Sequence, residues 1–116
     1  MQRNNPNDDA EVIFERSSGN VFADLGLENS DELLVKADLA HAVVSVVREQ
    51  GWTQSEAADR TGLTLPEVSL LGRMKLDRFS QERLHTVLRR LGTDVEIFLH
   101  PRENGGIGTL KVRDLA

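Results

Sequence analysis

The chain has 116 residues, 39% of them hydrophobic and 28% charged, which suits one soluble domain and excludes a low-complexity or collagen-like chain. It has no cysteine, so it has no disulfide framework, no thiolate metal site and no cysteine nucleophile, as expected in a reducing cytosol. Its net charge of −5 argues at first against a polyanionic partner.

The distribution of that charge matters more than its sum. Residues 1–67 carry 5 Lys/Arg against 13 Asp/Glu, whereas residues 68–90 carry 6 against 2. Arg73, Lys75, Arg78, Arg83, Arg89 and Arg90 make this the one basic stretch. No apolar run approaches the roughly 20 residues of a membrane span, and no signal-peptide core is expected at the N-terminus.

In chain order, residues 1–11 are polar with Pro6 and read as a disordered lead. Residues 12–28 form an N-terminal arm. Val12, Ile13, Phe14, Val21, Phe22, Leu25 and Leu27 are too apolar for a free tail. A short extended piece, a turn near Gly19 and a helical turn near Val21–Leu25 are expected, packed on the domain or on a partner.

A helix-turn-helix domain is expected over 29–92. Asn29 with Glu32 has capping-box spacing and opens a helix from about Ser30 to Gln50, which Gly51 stops. Leu33, Leu34, Ala37, Ala40, Val43, Val44 and Val47 form its apolar stripe. Thr53 with Glu56 caps a short helix to about Arg60, with Ala57 and Ala58 inward. Trp52 is the staple before that cap. Thr61-Gly62-Leu63 turns the chain. Thr64 with Glu67 caps the next helix, which carries Pro66 in its first turn and runs to about Met74. Residues 75–79 read as a loop. Ser80 caps a last helix to Leu91, with Leu84, Val87, Leu88 and Leu91 inward.

The stretch Gln54–Arg73 organises the rest. With Gln54 as position one, a small Ala58 stands fifth, Gly62 ninth, and apolar Val68 and Leu71 fifteenth and eighteenth. Helices crossing closely need a small residue at the fifth place. The turn needs a left-handed glycine, and the second helix needs two apolar positions one turn apart on its buried face. This is helix-turn-helix spacing, and it places the residues from Leu65 onward in a DNA major groove.

Residues 93–116 form a C-terminal strand region and tail. Val95, Ile97 and Leu99 alternate with Glu96, Phe98 and His100, the period of a strand. Such a strand needs a partner, either residues 109–113 as a hairpin or the same strand of a second subunit.

Enzymatic chemistry has little support. His41, His85 and His100 have no metal spacing, Ser17, Ser18 and Ser69 lack a base partner, and Gly105, Gly106 and Gly108 make no phosphate loop. No catalytic residue, metal or cofactor is expected.

Several runs together resemble the XRE-type helix-turn-helix regulators, and most of all their HigA-like antitoxin branch. They are Val21–Leu27, Glu32–Ala37, Trp52–Ala58, Gly62-Leu63, Val68–Leu71, Phe79-Ser80 and Leu91–Ile97. The resemblance implies a mainly α, lambda-repressor-like helix-turn-helix bundle with a C-terminal β-strand or hairpin. It also implies a cytoplasmic homodimer that binds double-stranded operator DNA, represses its own operon and neutralises a RelE-like ribonuclease toxin.

On this resemblance Gln54 fixes a backbone phosphate; the basic stretch adds Arg73, Lys75 and Arg78, which with Ser55 and Ser69 are expected to hold phosphates or base edges. Thr64, Leu65, Glu67 and Ser69 face the bases, and Val95, Ile97 and Leu99 dimerise. The sequence departs from the branch in three places. Leu65 stands where Gln is frequent and can touch only a thymine methyl. Glu67 stands where Lys or Arg is frequent and would repel phosphate or accept from a cytosine amine. Arg73-Met74 replaces a frequent Arg-Gly. These departures imply an altered sequence preference or weaker binding, and Leu65, Glu67 and the net charge of −5 favour the alternative reading, a protein-interaction module with the same fold that does not bind DNA.

Overall fold

A 21-residue helix, α1 (Ser30–Gln50), carries the molecule's main apolar face. In the computed structural model, residues 25–26 and 29–113 are described. Three shorter helices follow: α2 (Gln54–Thr61), α3 (Leu65–Gly72) and α4 (Gln81–Arg90). The lead over 1–11 and nearly all of the arm over 12–28 lie outside the described residues, except for a turn at Leu25 and Gly26.

α4 lies along α1 and α3 lies against α2, with lesser contacts of α2 to α4 and α1 to α3. The core forms between these layers from Val35, Leu39, Ala40 and Val43 of α1, Leu63, Leu71, Phe79, and Leu84, Val87 and Leu88 of α4. Each large apolar side chain buried there contributes roughly 1.5–3 kcal/mol.

The buried face of α1 is not the expected stripe. Val35, Ala37, Leu39, Ala40 and Val43 are buried, while Leu33, Leu34, Val44 and Val47 are only half-buried. Val44 and Val47 line a cleft shared with α2 and α3, and the core follows the i, i+4, i+8 row Val35, Leu39, Val43.

The expected cap at Asn29 also fails. Its backbone lies at φ −101°, ψ 41°, outside the extended region of an N-cap, and its side chain makes no capping bond. At the other end Gly51 adopts the left-handed conformation and its N–H donates to Arg48 O, as its place in the sequence requires.

α3 ends at Gly72, two residues before the expected Met74. Met74 then takes φ 59°, a left-handed conformation costly for a side chain with a β-carbon. This is the position where the branch pattern has glycine. Residues 75–79 form the expected loop between α3 and α4, and Phe79 within it is fully buried, its N–H donating to Leu76 O.

Residues 94–100 form no strand, and no hairpin joins them to 109–113. The returning segment is engaged elsewhere. Leu110 N–H donates to an Asp31 carboxylate oxygen at 3.1 Å, and Val112 packs on the core. Alternation makes a strand only where a neighbouring backbone accepts its hydrogen bonds, and among the described residues none does. Val95 still rests on the core, but Ile97 and Leu99 are 72% and 92% exposed.

Candidate nucleic-acid interface

The α2–turn–α3 unit is built by two complete capping boxes. Thr53 N–H donates to Glu56 Oε1 at 2.9 Å, and Glu56 N–H donates to Thr53 Oγ1 at 3.1 Å. The same exchange joins Thr64 and Glu67, at 2.9 and 3.2 Å. Each box satisfies N–H groups that a helix start would otherwise leave unpaired. The Thr53 N–H, before the Thr53 hydroxyl, holds the Glu56 carboxyl below its ordinary range.

Between the helices Gly62 sits at φ 79° and its N–H donates to Ala58 O at 2.9 Å. The Arg90 side chain lies over it, with Nε 3.0 Å from where a β-carbon would stand. Glycine is therefore required by conformation, while the exposed Arg90 side chain could swing aside for a β-carbon. Thr61 is a buried polar residue and is fully satisfied. Its hydroxyl donates to Ala57 O at 2.6 Å and accepts from Leu63 N–H at 3.2 Å.

The helix crossing buries Ala57 more deeply than Ala58, the residue in the motif's fifth place, and Leu71 more deeply than Val68.

The expected DNA-facing residues lie mostly on the surface. Gln54 and Ser55 are exposed in the first turn of α2, and Thr64 and Leu65 at the start of α3, with Leu65 50% exposed. Ser69 is half-buried, and Arg73, Lys75 and Arg78 are exposed in and after the C-cap of α3. Gln54 and Gly72 border one cleft of about 150 Å³, otherwise lined by Val43, Val44, Val47 and their neighbours. That cleft brings the N-terminus of α2 beside the C-terminal end of α3. Arg73 Nε lies 3.5 Å from Ser69 O, and Lys75 and Arg78 have no ion pair among the described residues.

The chain's match to the family model of the helix-turn-helix domain covers residues 21–100. A solved structure assigned provisionally to the XRE family of transcriptional regulators superposes with a TM-score of 0.68 at 34% identity, over 76% of this chain and 98% of that one. The chain belongs to the XRE-type helix-turn-helix family. No curated protein matches it. Among the described residues, no three His, Cys, Asp or Glu side chains stand close enough to hold a metal, and no helix is long and apolar enough to cross a membrane.

One expected base-facing side chain of this helix-turn-helix protein is otherwise engaged. Glu67 Oε2 lies 2.6 Å from Arg83 Nη1, and its Oε1 accepts from Arg83 Nη2 at 2.9 Å. The Arg83 guanidinium, followed by the Thr64 N–H, holds the Glu67 carboxyl far down, at about 2. Glu67 in turn raises the Arg83 guanidinium. Sequence reasoning missed Arg83, Thr61 and the role of Phe79. The Glu67–Arg83 pair spans 16 residues and two helices, a separation that no local spacing rule reads. Thr61 had a signal, since a hydroxyl just before a turn glycine is placed to bond its own backbone.

Proposed function

We propose that the protein is a DNA-binding transcription regulator that acts as a homodimer on operator DNA in the cytoplasm. Within that reading it is an antitoxin of the HigA-like branch, repressing its own operon and neutralising a RelE-like toxin. One observation carries the first part. Two capped helix N-termini, with Gln54, Ser55, Thr64 and Leu65 exposed on them, are joined by the Gly62 turn and followed by the exposed cations Arg73, Lys75 and Arg78. Helix N-termini and cations bind phosphates, and exposed side chains at the start of the second helix are those that reach base edges. The antitoxin part is supported by the sequence resemblance alone.

The test is a mobility-shift titration on the DNA upstream of its own reading frame, at several salt concentrations. Arg73→Ala and Lys75→Ala should each weaken binding to all sequences alike and lower the salt slope by about one. Unchanged affinity and salt dependence would remove these residues from the interface. No retardation of the wild type at low salt would favour the protein-interaction module, to which the exposed Leu65 also lends itself. Co-purification with the product of the neighbouring reading frame tests the antitoxin assignment.

A further inference from the structure

We infer that Arg83 is a positioning residue for DNA recognition, which by binding Glu67 withdraws a carboxylate from the reading surface and fixes the start of α3. The inference rests on the DNA-binding reading above. Three contacts carry it. The Arg83 guanidinium grips both oxygens of Glu67, at 2.6 and 2.9 Å. The same carboxylate accepts the Thr64 N–H, so the grip acts on the N-cap of the recognition helix itself. Behind it, the guanidinium stands 5.5 Å from the ring centroid of the buried Phe79. A line of contacts thus runs from the core through Phe79, Arg83 and Glu67 to Thr64.

α3 and α4 also share the core through Leu71, Leu84, Val87 and Leu88, so the bridge adds a polar link at the surface to an apolar one beneath. Arg83 is itself held at the start of α4, where its N–H donates to the Ser80 hydroxyl at 3.0 Å.

The consequence for recognition follows from charge. A free carboxylate in the first turn of a groove-facing helix repels the phosphates and can accept from a cytosine amine. Forked onto Arg83, both its oxygens are engaged and its charge is offset. Exposed ion pairs add little stability, and Arg83 is about two-fifths exposed. The pair is better suited to removing an unwanted acceptor than to holding the fold. With Glu67 occupied, direct reading falls to Thr64, Leu65 and Ser69.

The experiment is a double-mutant cycle on DNA affinity. Wild type, Arg83→Ala, Glu67→Gln and the double variant are titrated against the upstream DNA at two salt concentrations, with thermal unfolding recorded in parallel. Arg83→Ala should weaken binding on the order of tenfold, because it exposes a like charge at the interface. The double variant should bind as Glu67→Gln alone does, because the charge that Arg83 masks is gone. A loss that Glu67→Gln does not rescue, with a salt slope lower by about one, would make Arg83 a phosphate contact and overturn the inference. No loss in Arg83→Ala would overturn it too. Should Arg83→Ala be unfolded at the assay temperature, Arg83→Gln carries the same test, since it keeps part of the stem over Phe79 without the charge. If the wild type itself retards no DNA, the DNA-binding reading fails first, which sets that outcome apart from failure of the rescue.

Discussion

The carboxyl of Glu67 stands where the sequence pattern places a base-facing group, yet nitrogens from Arg83 and Thr64 engage its two oxygens. Its acid behaviour follows. Its pKa is about 2 in the folded chain against an ordinary 4.5, so it binds its proton more readily when unfolded. The stabilisation is therefore complete above the ordinary value and is lost as pH falls towards the folded one. The stability gap between wild type and Glu67→Gln, read from denaturant midpoints, should be widest near about pH 6 and narrow by about pH 3. A gap constant across that range would mean that Arg83 does not hold the carboxylate in solution. Position in a motif told which residue stands at Glu67. It did not tell which partner would claim it, because that partner arrives from another helix. Met74 is the reverse case. Its departure from a glycine pattern was visible in the sequence, and the left-handed φ of 59° gives that departure its physical meaning.

At the scale of the elements, three N-terminal boxes read alike in the sequence, but only two close. Thr53 and Thr64 take extended backbone conformations and exchange bonds with the glutamate three residues on, while Asn29 does not. Thr53→Ala should accordingly cost about 1 kcal/mol of unfolding free energy, and Asn29→Ala no more than a few tenths. Chemical denaturation of both variants checks the contrast, and equal losses would contradict it. The boundaries of α1, α2 and α4 were legible to within a residue, because Gly, Thr and Ser mark where a helix can start or stop. The C-terminal strand was misread for a related reason. Alternation states which residues would share a face of a sheet, not whether a second backbone is there to form one. Within the chain Asp31 and the core take up 109–112 first.

For the whole molecule, the scaffold was legible because Gly62, Leu71 and the paired caps must all agree for α2 and α3 to cross at all. The surface was less so, since nothing local dictates which charges meet across helices. The exposed apolar residues of the C-terminal segment raise the question of what covers them. Ile97, Phe98 and Leu99 stand mostly in solvent in the single chain, although Val95 beside them is anchored on the core. A chain that leaves three consecutive large apolar side chains in water carries a cost that a second copy can remove by pairing the segments, with backbone bonds as well as area. Half-sites on DNA lie about one turn apart, so a two-fold pair would also place two α3 helices on one operator. Sedimentation equilibrium should find the wild type dimeric in the micromolar range and Ile97→Ser/Leu99→Ser monomeric, with thermal unfolding close to wild type because neither residue belongs to the core. DNA affinity of that variant should fall steeply, because each subunit would then meet the operator alone and lose the avidity of a linked pair. A wild type that sediments as a monomer at concentrations where it binds DNA would sink the dimer, and would leave the exposed segment to a different partner.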